Sequence, residues 1–288
     1  MKLISDEASN HLSSNGMSAW VESLDDLVQE ALTATSSTVI RPIYGGLFGS
    51  VILVQTGEMR RVLKLFPKEK ATRGQIDALL GMRGNGCPKV YAADKDRGWV
   101  LLEEIANKVP LNQPVDLGQA YRAVSQIWSS PLENYHLSYL DLFDFWLEIH
   151  GQDSPADLLT GISKARHLIE QAPAGELTHI HADIGVHNLM RRDSGELVFV
   201  DPSGALGPAT VDLGALAAWS GAPRSKSISR AIDLAGIAGI GPVEPCRWAL
   251  VCTIADANML YSGGNTEQSR ECMIAAEILL QQFKEIQR

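Results

Sequence analysis

The run His181-Ala-Asp183-Ile-Gly-Val-His-Asn188, then Val198-Phe-Val-Asp201 and finally Asp212, gathers carboxylates, imidazoles and an amide into one short stretch. Phosphoryl transfer needs little covalent help from a protein. It needs a carboxylate to orient and deprotonate the attacking hydroxyl, and oxygen ligands for the magnesium that bridges the phosphates. Magnesium takes hard oxygen donors, often one or two carboxylates completed by water and phosphate. Asp183 has the place of the base, and Asn188 and Asp201 those of the metal ligands. A lone His-x-Asp is as easily a turn. The Asn five residues after Asp183 and the Asp closing a β-run downstream favour the chemical reading.

A second group lies upstream. Gly45-Gly46-Leu-Phe-Gly49 leads through one apolar run to Val62-Leu63-Lys64-Leu65. A turn without side chains lets phosphates approach the backbone closely. A lysine flanked by leucines in a strand is unexpected unless its ammonium meets an anion. Alone, the glycine run reads as a hairpin turn, and the lysine on a following strand gives it weight.

The elements that must position these groups can be read from periodicity. Val39–Tyr44, Ser50–Gln55 and Arg61–Phe66 are short β-prone runs punctuated by glycines, and they predict an antiparallel meander. Ahead of them, residues 17–34 have helical spacing with Ser23 as a candidate cap, and the first 15 residues are polar and expected to fray. A helical stretch near Gly74–Met82, a run at Lys89–Ala93 and an apolar strand at Trp99–Leu102 complete this part. Helical periodicity then dominates, near 116–130, 138–150, 155–172, 226–238, 244–262 and 267–286. It is broken only by strands at Leu177–Ile180 and Leu197–Val200 around the His/Asp/Asn loop. The pattern predicts an α+β chain, with a sheet lobe over residues 1–104 and a helical lobe over 105–288 carrying the catalytic and substrate loops.

Bulk properties narrow the partners. The 288 residues carry a formal net charge of −9, which disfavours nucleic acid and anionic membrane surfaces and would suit a cationic small molecule. Cys87, Cys246, Cys252 and Cys272 show no zinc spacing and read as reduced thiols. The opening MKLISDEASNHLSS lacks the apolar run of a secretory leader, and Asp256 and Asn258 interrupt the longest apolar stretch, so a cytoplasmic protein is expected. Asp141, Asp144 and Glu148 fall on one helical face and could line a pocket for a cation, although such a face is more often solvated. His187 reads as a loop brace. His136, His150 and His167 read as surface or core residues.

Together the glycine turn, strand lysine, apolar strand ending at Glu103, His-x-Asp loop and late Asp resemble the protein-kinase-like small-molecule phosphotransferases. Within these the chain resembles the aminoglycoside/hydroxyurea antibiotic-resistance kinases of the streptomycin phosphotransferase type. His181–Asn188 is similar to their HGDLHPGN-like loop, and Val200–Leu213 to their IDPxGLxGxPxxDL stretch; fructosamine kinases carry a similar loop. The resemblance implies a two-lobed, protein-kinase-like fold that uses ATP and magnesium to phosphorylate a hydroxyl of an aminoglycoside-like or related molecule. A monomer or weak homodimer goes with it. By the same resemblance Lys64 contacts the α/β-phosphates, and Asp183 is the base. Asn188 and Asp201 hold magnesium, His181 organises the loop and Asp212 braces it. Gly45, Gly46 and Gly49 cover the phosphates, and Glu103 and Glu104 lie at the hinge that meets adenine. Two departures stand out. Gln75 takes the place of the helix glutamate that usually holds the lysine, and Ala182 and Val186 replace the usual Gly and Pro. A nucleotide-binding pseudokinase and a protein kinase are the rival readings. The intact Asp183, Asn188 and Asp201 argue against the first, and HAD in place of HRD argues against the second.

Overall fold

The computed structural model describes residues 2–14, 16–44, 46, 49–67, 70–111, 113–131, 137–148 and 154–288, with the side chains of residues 70–73 outside this description. Gly45, His136 and His150 therefore lie outside the described residues.

The chain begins with α1 (Asp6–Ser14), α2 (Ser18–Glu22) and α3 (Leu24–Thr35). The first segment does not fray as its polarity suggested. Ser5 Oγ accepts the Ala8 amide at 3.1 Å, Asp6 and Glu7 sit at the favourable positive end of the helix, and Leu3, Ile4, Ala8 and Leu12 are buried. The helix expected over 17–34 breaks at Ser23. That residue does not cap: its hydroxyl donates instead to the Trp20 carbonyl at 3.0 Å.

Next come β1 (Ser37–Ile43), β2 (Ser50–Thr56), β3 (Met59–Leu65), α4 (Lys70–Met82), β4 (Val90–Asp94) and β5 (Trp99–Glu103). The strands form one antiparallel sheet in the order β1-β2-β3-β5-β4. Strand alternation sorts its residues between two faces. Ile52, Val54, Leu63, Leu65, Trp99 and Leu101 pack under α1 and α3 in one core. The opposite face carries Lys64, and its neighbours Phe66, Val100 and Leu102 join the larger core shared with the helical lobe.

That lobe contains β6 (Asn107–Lys108), α5 (Leu117–Trp128), α6 (Tyr139–Trp146), α7 (Ala156–Glu170) and β7 (Thr178–Ile180). There follow β8 (Leu189–Arg191), β9 (Leu197–Phe199), β10 (Ala205–Gly207), α8 (Ala209–Ala218), α9 (Ser227–Ala238), α10 (Val243–Ser262) and α11 (Thr266–Ile286). Two small antiparallel sheets, β10-β7 and β6-β8-β9, hold the polar loop against the helices. The helix α8, which periodicity did not reveal, is buried on every side from Val211 to Ala218. The architecture is the expected α+β arrangement of a sheet lobe and a mainly helical lobe. Among the described residues no helix is long and apolar enough to cross a membrane. The four cysteines are free and buried, and burial pushes the thiols of Cys87, Cys246 and Cys272 up to about 12.

Candidate active site

The loop from His181 to Asn188 is suspended between β7 and β8, and Asp212 of α8 holds its entry. Fully buried, Asp212 accepts the amides of His181 and Ala182, each at 2.9 Å, and the Trp128 indole N–H at 3.0 Å. Burial pushes its carboxyl up to about 6, against the pull of the three donors, so it is ionised at neutral pH. Asp212 thus ties the entry of the loop to α8, and Trp128 of α5 is a partner the sequence did not reveal. His181 is also buried. Its Nε2 donates to the Val200 carbonyl at 2.9 Å, and burial pulls its pKa down to about 4, so the ring is neutral. The second nitrogen, Nδ1, is buried with no hydrogen-bond partner among the described residues.

Ala182 adopts a left-handed backbone, φ +68°, at the position where the similar motif has Gly. A Cβ there costs about 1–2 kcal/mol. Ala182→Gly is expected to raise stability by about 1 kcal/mol in denaturant unfolding, with the Asp212 contacts retained.

Asp183 is gripped from two sides. Asn188 Nδ2 donates to its Oδ2 at 2.8 Å and to its backbone carbonyl at 2.9 Å, while His187 Nε2 lies 3.2 Å from Oδ1. Burial works to raise the Asp183 carboxyl, but the His187 and Asn188 hydrogen bonds and the nearby imidazoles hold it below the ordinary range. For His187, burial acts downward, and the carboxylates of Asp183, Asp256 and Asp201 outweigh it and raise the imidazole. Gly185 makes room for this ring: a Cβ there would fall 2.5 Å from His187 Cε1 and 2.9 Å from Trp219 Cβ. His187 is therefore a brace on Asp183.

Asp201 follows β9 in a left-handed conformation, φ +59°. The Val200 amide donates to the Asn188 carbonyl at 2.8 Å, which sets Asn188 and Asp201 side by side. With Nδ2 of Asn188 spent on Asp183, its amide oxygen is left as a hard donor beside the Asp201 carboxylate. This donor set fits magnesium. Across the cleft, Lys64 forms an ion pair with Asp201 and lies over the Phe66 ring, its side chain 11% exposed. The buried strand lysine does meet an anion, and it is this one.

Gln75 on α4 is not the partner of Lys64 in this structure. Its Oε1 is buried with no hydrogen-bond partner among the described residues, and Asp77 is paired with Lys95. Of the glycine turn, Gly46 is open to solvent space, whereas a Cβ on Gly49 would fall 2.4 Å from the Leu65 carbonyl. Gly49 is thus required by close packing on β3, whatever else the turn does. The side chains at the end of β5 are engaged by protein: Glu103 binds Arg192, and Glu104 pairs with Arg60.

Two of the acids expected on one helical face are engaged by neighbouring groups. Asp141 accepts the Ser138 amide at 3.0 Å in a capping box, and Asp144 pairs with Arg166 at 3.0 Å. The acid that does approach the loop is Asp256 of α10, whose charge reaches His187 and which accepts Arg224 Nε at 2.8 Å. Its place inside an apolar helix, where a carboxylate needs a reason, was the signal that could have found it.

The fold has many solved counterparts. A choline kinase from Streptococcus pneumoniae superposes with TM-score 0.63 at 13% identity, covering 87% of this chain and 98% of that one. The aminoglycoside phosphotransferase APH(4)-Ia gives 0.61 at 11%, covering 89% and 98%. A microcompartment-associated aminopropanol kinase gives 0.59 at 16%, covering 88% and 94%. At these identities the likeness concerns the fold. No curated relative matches the sequence. The model of the phosphotransferase enzyme family matches residues 39–246, most of the chain, from the first strand of the sheet through the His181–Asn188 loop to α10. The chain belongs to the phosphotransferase enzyme family.

Proposed function

We propose that this enzyme uses ATP and magnesium to phosphorylate a hydroxyl of an aminoglycoside-like or other small hydroxylated molecule. One observation carries the reading. Lys64, more than a hundred residues upstream, is brought onto the short stretch that holds Asp183, Asn188 and Asp201, through the Lys64–Asp201 pair beside the Asn188–Asp183 bond of 2.8 Å. Asp183 would accept the proton of the acceptor hydroxyl. Asn188 and Asp201 would hold the magnesium, which when bound neutralises charge on the transferring phosphates. Lys64 would turn from Asp201 toward the α/β-phosphates. The carboxylates of Asp183, Asp201 and Asp256 and the net charge of −9 favour a cationic acceptor. Similar structures support a nucleotide and a small acceptor, since a thermostable mutant of APH(4)-Ia has been solved with ADP and hygromycin B.

Because Asp183 is held below the ordinary carboxyl range, the acid limb of kcat/KM should lie below the usual carboxylate pKa of about 3.9. His187→Asn removes a hydrogen bond and an imidazole that favour the ionised form, so the limb moves to higher pH. A pH–rate profile of both proteins checks this.

The pseudokinase reading draws on Gln75, which gives Lys64 no charged brace. The active-enzyme reading predicts that Lys64→Ala sharply lowers kcat/KM for ATP and that Gln75→Glu leaves it unchanged or raises it modestly. A pseudokinase shows no transfer and no slow ATP hydrolysis from any of these proteins. Steady-state kinetics with ATP varied separates the two.

A further inference from the structure

Two adjacent carboxylates at the end of β5 are tied to opposite lobes. Glu104 pairs with Arg60 of β3, inside the sheet lobe. Glu103 reaches across to Arg192, in the turn between β8 and β9. Arg192 Nε donates to Glu103 Oε1 at 3.0 Å and Nη2 to Oε2 at 2.8 Å, a two-point fork with fixed geometry. Glu103 Oε2 also accepts the Lys89 amide at 3.1 Å. Two more Arg192 N–H groups are used as well, one of Nη2 on the Cys87 carbonyl at 3.0 Å and one of Nη1 on Glu196 at 2.7 Å. Both side chains of the fork are largely out of solvent, 14% and 20% exposed. An exposed ion pair is worth little. A bidentate, screened pair whose arginine spends further donors on Cys87 and Glu196 holds a definite geometry.

The hairpin that bears Arg192 also bears the proposed magnesium positions. β8 starts directly after Asn188, and β9 ends two residues before Asp201. The Leu189↔Phe199 register and the Arg192 amide on the Glu196 carbonyl at 2.9 Å make it a short, closed ladder. A second tie runs parallel to the first, from the Phe199 amide to the Gly86 carbonyl at 2.8 Å. We propose that Arg192 is a positioning residue for the nucleotide: its fork on Glu103 sets the distance between the interlobe linker and the hairpin carrying Asn188 and Asp201. The proposal rests on the kinase reading above, in which the linker backbone meets the base and the hairpin meets the phosphates. The nucleotide spans both ends of the clamp, so loosening it weakens binding more than it slows the chemical step.

The test compares wild type with Arg192→Ala, Glu103→Gln and the double variant, measuring KM and calorimetric Kd for ATP with magnesium, kcat at saturating ATP, and amide exchange over residues 103–108. Arg192→Ala is expected to raise KM and Kd about tenfold, with kcat changed by less than about threefold. The linker should exchange faster, and the double variant should be no worse than Arg192→Ala alone. A variant of lower thermal stability whose KM and Kd stay within about twofold of wild type would overturn the assignment, as would additive effects in the double variant. Wild type that binds ATP beside an unaffected Arg192→Ala overturns this assignment alone. Wild type that binds no ATP overturns the kinase reading and this assignment together.

Discussion

Replacing Asp183 by Asn is expected to cut turnover by roughly 100-fold or more while leaving ATP affinity almost intact. The carboxylate is the only group in the loop held ionised by two side-chain donors, and Asn keeps its shape but not its basicity. The loop itself should survive the change, because Asp212, Trp128 and His181 carry its architecture independently of Asp183. Turnover within a factor of a few of wild type would remove Asp183 from the role of base. Single-turnover kinetics together with calorimetric ATP binding would distinguish that outcome from a general loss of folding.

Replacing Asp201 by Ala should have two separable consequences. Magnesium-dependent ATP binding should be abolished, because a hard cation loses its one side-chain carboxylate. Stability should also fall, by about 1 kcal/mol, because Lys64 loses its anion in a mostly buried setting while Asp201 itself is half exposed. The double variant Lys64→Met/Asp201→Ala removes the stranded ammonium, so it should regain stability without regaining magnesium-dependent binding. Calorimetry with and without magnesium, beside thermal unfolding, reads the two effects apart. Equal magnesium dependence in Asp201→Ala and wild type would make Asp201 a structural residue.

The parts of this molecule legible in its sequence are those written in local patterns. Period-two runs with glycine punctuation marked the meander to within a few residues, and the spacing of Asp183, Asn188 and Asp201 marked the loop. What stayed hidden depends on partners distant in the chain. Ala209–Ala218 has no polar stripe because every side of α8 is buried, so periodicity gives no helical signal there. At the N-terminus, Ile4, Ala8 and Leu12 were spaced for one buried face, but the polar residues between them dominate the composition. Trp128 is 84 residues from the Asp212 it serves, and Arg192 is 89 from Glu103. The acids of α6 share a face as their spacing says, yet Asp141 is drawn to its own helix start and Asp144 to Arg166. Spacing gives the face, and tertiary neighbours decide its use.

Phosphoryl transfer at this site is read most directly from ADP formation from magnesium-ATP by wild type and Asp183→Asn. The assay should be run without acceptor and then across a panel of aminoglycosides, amino alcohols, ketoamines and sugars. Slow magnesium-dependent hydrolysis without acceptor and stimulation by at least one hydroxylated compound are expected, with both lost in Asp183→Asn. Stoichiometric magnesium-ATP binding by wild type, with no ADP formed under any of these conditions, would contradict phosphoryl transfer at this site.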